Sequence, residues 1–272
     1  PKTEMICGDI TDKAVFEHII SECLDKKIDI LMATPPCQGM STAGPQEEGD
    51  KRNSLILPVI RLIEAVEPKY VFIENVPMFY NTEILFEGEK ILIPDLIEKR
   101  LEENYIIKRY TIDTKDYSVP QTRERAIMLL SKRDQGVTWV LPPEDPQIVT
   151  MRDAIGDLPK LDPYVKDVSE EERKKMFPLF EERKKAAQRI SHWHNPPHHV
   201  KRQIEAMQHT PTGCTAFDNP VYYPKKENGQ AVKGYHNTYK RQNWDTAAYT
   251  VTMDNRKISS QNNVHPGRPE GY

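Results

Sequence analysis

The run IDILMATPPCQGMS, residues 28–41, constrains this chain more than any other stretch. Its apolar part, residues 28–32, is short, follows a charged stretch and is closed by Pro35-Pro36, which is the pattern of a buried strand. Proline has no amide hydrogen with which to extend a ladder, so the backbone has to leave the sheet there. Cys37 then stands at the carboxyl end of a strand, at the mouth of a loop that carries Gly39, Gly44 and Gly49. In open α/β sheets ligands bind beyond that edge. A thiol presented there can act as a nucleophile, whereas the commoner fate of a free cysteine is a place in the core. Position alone leaves both readings open.

Two further segments end in the same way. YVFIE, residues 70–74, delivers Glu74-Asn75 to a strand end just before Val76-Pro77, and PQTRER, residues 120–125, leads into the apolar run 126–130. Pro36-Cys37-Gln38, Glu74-Asn75-Val76 and Gln121-Thr122-Arg123-Glu124-Arg125, in that order and each at a strand boundary, resemble the DNA (cytosine-5) methyltransferase family. Gly8-Asp9-Ile10 and Arg52-Asn53-Ser54-Leu55 resemble family segments that line the S-adenosylmethionine pocket. The resemblance is close over residues 5–132 and looser beyond, until residues 235–265.

The resemblance implies methyl transfer from S-adenosylmethionine to carbon 5 of a cytosine flipped out of double-stranded DNA. It implies catalytic roles for Cys37, Glu74, Arg123 and Arg125, and a cofactor pocket that includes Asp9, Ile10, Pro36 and Leu55. DNA contacts are expected from Gln38, Ser41, Arg241 and Arg256, with no metal. The setting it implies is a bacterial restriction-modification system, cytoplasmic and nucleoid-associated. A tRNA cytosine-5 methyltransferase, which uses similar chemistry, is the alternative, and a catalytically silent DNA-binding fragment is another.

The residue types also make chemical sense by themselves. Carbon 5 of cytosine is a poor nucleophile. Addition of a thiolate to carbon 6 turns the ring into an enamine that can attack a methyl sulfonium, so one hard step becomes easier ones. Cysteine suits this because its thiolate attacks strongly and later leaves readily. Charge that develops on the ring calls for a donor at ring nitrogen 3, which a carboxyl shielded from water can be. Glu74 is the candidate. A cation near the 2-oxo group would stabilise the same charge, which fits Arg125 and Arg123. Taken singly, Glu74 could be a solvated strand end, and Arg123 and Arg125 the polar face of an edge strand. Only together with Cys37 do they form a chemical set. Cys7, Cys23 and Cys214 have no metal-ligand spacing and read as core or incidental thiols. The imidazoles in the run 192–199 (HWHNPPHH) lack a carboxylate or cysteine at ligand spacing, so phosphate or base contacts are expected, with Trp193 in the core.

The expected fold is α/β: a Rossmann-like, doubly wound, mostly parallel sheet with a smaller C-terminal target-recognition region. Residues 1–134 should form the catalytic domain, and residues 135–272 the linker and recognition region. Strands are expected at residues 5–6, 28–32, 70–74, 105–113 and 126–130, the last an antiparallel addition, and at 249–253. Helices are expected over 13–24, 54–66, 91–103 and 151–155, and in parts of 170–190. The whole chain carries a formal charge of −3. Residues 1–150 hold 18 Lys+Arg against 26 Asp+Glu, or −8, whereas residues 183–268 hold 14 against 5, or +9. A basic C-terminal part suits a polyanion gripped mainly by one domain. Four scattered cysteines in 272 residues point to a reducing compartment, and no run of 18 apolar residues suggests a membrane span.

One departure stands out. Family members begin with a glycine-containing loop after their first strand, under the methionine moiety of the cofactor, and close with segments beyond the recognition domain. Neither is found in residues 1–272. The expectation is an internal fragment or one piece of a split enzyme, served by a complementary polypeptide. Alone it should be poorly soluble or inactive and bind the cofactor weakly.

Overall fold

The computed structural model describes residues 3–36, 54–219, 221, 225, 228–230, 238–251 and 264–267. The chain divides into two compact units: Pro1–Asp113 with Glu124–Glu144, and Thr114–Arg123 with Asp145–Tyr272. The first unit therefore runs past residue 134, and the short segment 114–123 belongs to the second.

The first unit contains α1 (Lys13–Asp25), β1 (Ile30–Ala33), α2 (Ile56–Val66), β2 (Tyr70–Asn75), the hairpin β3 (Glu83–Phe86) and β4 (Glu89–Leu92), α3 (Ile93–Leu101), β5 (Tyr105–Asp113) and β6 (Glu124–Lys132). The Asp12 carboxylate caps α1 by accepting from the amides of Ala14 and Val15 at 2.9 and 3.1 Å. Pro58 lies in the first turn of α2, where its missing amide is not needed.

The main sheet has the order β1-β2-β6-β5. β1 and β2 pair in parallel, and β6 pairs antiparallel with both β2 and β5, so three of the four strands run one way. The antiparallel strand is the last in sequence, as expected, but it is inserted between β2 and β5. Leu31, Ala33, Val71, Ile73, Met128 and Leu130 share one face and join Ile56, Ile60 and Ile63 of α2 and Ile93, Leu96 and Ile97 of α3 in one core. Each of these side chains except Ala33 contributes about 1.5–3 kcal/mol when buried. Phe16, Ile19 and Ile20 add α1 to that same core. On the opposite face Trp139 covers Tyr70 and Phe72, with ring centroids 5.6 and 6.4 Å away. This fold is the expected α/β, Rossmann-like one.

Several local expectations need correcting. Residues 5–6 form no strand, because they pair with nothing and are exposed. The helix expected from residue 91 starts at Ile93, since Ile91 and Leu92 pair with Ile84 and Glu83 in the hairpin. Its turn places both Glu87 (φ 52°) and Gly88 (φ 88°) in the left-handed region, the geometry a two-residue hairpin turn requires. Trp193 is not in the core: it is 83% exposed, in a turn after the helix that ends at Ile190, with His192 as its ring neighbour. Residues 249–251 form no strand, and 252–253 lie outside the described residues.

The second unit holds α4 (Met151–Ile155), β7 (Tyr164–Val165), α5 (Glu170–Met176), α6 (Phe180–Ile190), β8 (His198–His199) and α7 (Lys201–His209). The small core comprises Val165, Phe177, Ile204, Ala206, Met207, Ala216, Tyr239 and Val264. Arg241 locks it. That side chain is 1% exposed, and its guanidinium donates to the carbonyls of Thr210 (2.9 Å), His265 (2.7 Å), Gly267 (2.9 Å) and Met207. The expectation that Arg241 contacts DNA is thus overturned, because its donors are committed to carbonyls inside the protein. Arg241→Ala should destabilise the second unit by about 2–3 kcal/mol in chemical denaturation, since four carbonyls lose a charged donor.

Candidate active site

The site of the first unit is built at the carboxyl ends of β1 and β2. Their parallel register pairs Ala33 with Ile73, so Pro35-Pro36, just past β1, and Glu74-Asn75, the last residues of β2, lie at the same edge of the sheet. Side chains alternate along β2, which puts Asn75 on the helix-covered face and Glu74 on the other. Asn75 is 3% exposed. Its Nδ2 donates to the Pro35 carbonyl at 3.0 Å, and its Oδ1 accepts from the Val76 amide at 2.9 Å. The end of β2 thereby fixes the backbone that leads into Cys37. In the sequence Asn75 stands only as part of the Glu74-Asn75-Val76 motif, and its place after a strand-end glutamate is the signal. Asn75→Ala should cost about 1–2 kcal/mol of stability in thermal or urea melts. It should also slow single-turnover methyl transfer on the order of 10–100-fold, because the Pro35 carbonyl loses its anchor.

Glu74 and Arg125 meet across the ladder. Glu74 is paired with Ile127, so Arg125, two residues earlier on β6, is its diagonal neighbour on the same face. Arg125 Nε lies 2.5 Å from Glu74 Oε1, and Arg125 Nη1 donates to the Glu124 carbonyl at 2.6 Å. The Nε contact is an ion pair rather than an aligned hydrogen bond. Both side chains are largely shielded, at 15% exposure for Arg125 and 30% for Glu74. A carboxylate and a guanidinium are thus held together beside the strand end that Pro35-Pro36 shares. Arg125 stands within β6, which starts at Glu124 rather than at residue 126.

Arg123 belongs to the second unit, half-buried, and its carbonyl accepts from the Thr114 amide at 3.2 Å. The segment around it is pinned: Thr122 donates its amide to the Ala248 carbonyl at 2.7 Å, and Gln121 Oε1 accepts from the Val251 amide at 2.9 Å. Cys37, Gln38, Ser41 and Arg256 lie outside the described residues.

Of the residues expected to hold the cofactor, Asp9 and Ile10 sit just before α1, Pro36 follows β1, and Leu55 caps α2. Asp9 Oδ1 accepts from the amide and hydroxyl of Thr11, both at 2.8 Å. Those bonds, the amide's first, hold the Asp9 carboxyl below the ordinary carboxylate range. Asp9 is exposed and ionised at neutral pH, while Ile10 and Leu55 are half-buried and apolar. An anionic acceptor together with apolar surface fits the hydroxyls and ring of an adenosine.

Three thiols lie among the described residues. Cys7 is exposed, and Cys23 and Cys214 are half-buried. Burial pushes the Cys23 thiol up. Glu4, His18 and Glu22 lie close enough to share a metal ion, but Lys26 is bonded to both carboxylates and offsets one of their two charges.

By fold the chain is a Rossmann-like α/β methyltransferase. Its structure is similar to the crystal structure of a DNA modification methyltransferase encoded within an E. coli prophage, with a TM-score of 0.51 at 19% identity. That match covers 82% of this chain and 67% of the other. A model of the C-5 cytosine-specific DNA methylase family matches residues 1–270, and the chain belongs to that family. Type II methyltransferase M1.HgaI of Avibacterium volantium is 40% identical over 274 residues, which cover 99% of this chain and 70% of the relative. Type II methyltransferase M.DdeI of Desulfomicrobium norvegicum is 23% identical over 98% of this chain and 59% of its own length. The activity expected of the chain is therefore methylation of cytosine carbon 5 in DNA, with S-adenosylmethionine as methyl donor. No helix among the described residues is long and apolar enough to cross a membrane.

Proposed function

We propose that this chain methylates a cytosine turned out of duplex DNA, with Cys37 as nucleophile and Glu74 and Arg125 as the groups that stabilise the ring. The observation that carries the reading is the common edge of β1 and β2, where Asn75 anchors Pro35 and the Glu74–Arg125 pair stands alongside. Asp9, Ile10, Pro36 and Leu55 would hold S-adenosylmethionine, which supplies an electrophilic methyl group when bound.

The protein's own residues do the rest. The Cys37 thiolate bonds to carbon 6, the 5,6 double bond opens, and nitrogen 3 takes a proton from Glu74, which enters the step protonated from water and leaves it as the carboxylate that pairs with Arg125. The ring is now an enamine with its electron pair available at carbon 5. Arg125 holds Glu74 and offers its cation to the 2-oxo group, where negative charge gathers; Arg123 is the second candidate for that contact. When carbon 5 later loses its proton to water, the electron pair reforms the double bond and expels Cys37 as thiolate, and nitrogen 3 returns its proton to Glu74.

A base inside the duplex stack hides both ring faces, so the target has to be flipped. The +9 balance of residues 183–268 supports a grip on the duplex by the second unit. Relatives named as type II methyltransferases support a place in a bacterial restriction-modification system, acting in the cytoplasm. Single-turnover transfer of labelled methyl to duplex DNA, single-stranded DNA and tRNA tests the substrate. Duplex DNA should be preferred over tRNA by about 100-fold or more, and a preference for tRNA would sink this reading.

A further inference from the structure

Residues 183–204 hold six Lys and Arg, four His and no Asp or Glu. They cover most of α6, the turn after it and the start of α7. The two acidic residues of α6, Glu181 and Glu182, stand in its first turn, and the basic ones follow toward its other end. Lys185 and Arg189 are exposed, one turn apart on one face, and neither is ion-paired among the described residues. Beyond Arg189 come two exposed apolar side chains, Ile190 at 60% and Trp193 at 83% exposure. The turn that carries Trp193 is fastened by its own side chains. Ser191 Oγ accepts from the Trp193 amide at 3.2 Å, and Asn195 Nδ2 donates to the His192 carbonyl at 2.5 Å. Gln188 of α6 donates its Nε2 to Asn195 Oδ1 at 2.9 Å, which ties the turn to the helix. The His192 ring, centred 5.0 Å from the indole, props one side of it. An indole held out in this way is presented to a partner, and its surroundings give the partner's chemistry. Six cations without an anion select a polyanion. A ring among them selects a polyanion with π faces, which is nucleic acid. One indole and one isoleucine are too little apolar area for the core of a stable protein–protein interface.

We propose that Trp193 is a wedge whose indole stacks on a base at an unstacked step of the DNA, while Lys185 and Arg189 hold the phosphates beside it. The proposal rests on duplex DNA as substrate and adds to that reading the residue that holds the duplex open. A regular duplex covers its base faces, so the ring enters only where a step is opened, and extrusion of a base opens one. Every base has a π face, so the wedge supplies affinity and leaves the reading of sequence to other groups.

Gel-shift titration of the full chain with the duplex that it methylates tests the wedge. Trp193→Ala should weaken binding about tenfold or more, whereas Trp193→Phe, which keeps a ring, should weaken it by less than about threefold. Both variants should melt at the temperature of the parent chain, because the side chain is almost wholly in solvent. Lys185→Gln and Arg189→Gln should each lower the slope of log affinity against log salt by about one. In a second arm, 5-iodouracil replaces each thymine of the duplex in turn and is illuminated, which joins it to an aromatic ring stacked on it. At least one position should cross-link to the peptide that contains Trp193. Unchanged affinity in Trp193→Ala, an equal loss in Trp193→Phe, or no cross-link to Trp193 from any position would overturn the proposal. Unaltered salt slopes would overturn the phosphate contacts. Sedimentation in which Trp193→Ala separates a dimer of the parent chain would make the turn a contact between copies and overturn the assignment to DNA. Methyl transfer to the same duplex and to tRNA judges the substrate separately. Transfer to the duplex with a silent Trp193 sinks only the wedge, and transfer to tRNA alone sinks the substrate reading whatever Trp193 does.

Discussion

Cys37→Ala should bind duplex DNA within about twofold of the parent chain yet lose methyl transfer by a factor on the order of 10⁴ or more. The asymmetry follows from the chemistry. Without a thiolate at carbon 6 the cytosine ring has no enamine to offer, and its neutral carbon 5 is too weak to attack. The proposed role of the thiol is in chemistry rather than docking, so its loss should leave duplex binding intact. Gel-shift titration and a tritiated-methyl assay on one preparation measure both quantities. A parallel loss of DNA binding and turnover would make Cys37 a structural residue.

Glu74→Gln and Arg125→Ala should each slow the chemical step by roughly 10²–10³-fold, about 3–4 kcal/mol in the barrier, with a much smaller change in cofactor affinity. Glutamine can still donate a hydrogen bond to nitrogen 3 but cannot transfer a proton. Alanine at 125 removes the cation 2.5 Å from Glu74 and the charge offered to the 2-oxo group. The pair acts as a unit, so the double variant should fall well short of the product of the single losses. Single-turnover rates at saturating DNA decide this. Unchanged rates in both single variants would leave the ion pair as a fastener between β2 and β6.

The first unit was legible wherever a short apolar run met a proline or a strand-end polar residue. β2 is one residue longer than expected and β5 matches over Tyr105–Asp113; in the second unit, α4 matches over Met151–Ile155. Such elements are specified by local pattern, which one sequence displays in full. The hairpin before α3 was missed because helical periodicity extends back through Ile91 and Leu92, although Gly88 marked the turn. Trp139 illustrates a different limit. It stands in a stretch expected to begin the recognition region, yet it packs on Tyr70 and Phe72 of the first unit, a choice made by tertiary contact.

The candidate site was legible as residue types at strand ends, and its couplings were not. The Asn75–Pro35 bond spans 40 residues, and the Glu74–Arg125 contact depends on a register that no short window contains. Arg241 shows the reverse error: an arginine in a basic, amide-rich stretch looks like a base reader until four carbonyls are found around it. The Asp162–Arg183 pair, 21 residues apart in a charged region, carried no sequence signal of burial.

The central claim is that Cys37 forms the covalent bond to the target ring. Fluorine at carbon 5 cannot be removed as a proton would be, so a 5-fluorocytosine duplex should trap the adduct when S-adenosylmethionine is supplied. Digestion and mass spectrometry of the trapped complex should place the nucleotide on the peptide that contains Cys37 and on no other. An adduct on Cys7, Cys23 or Cys214, or no adduct from a chain that methylates the unmodified duplex, would contradict the account.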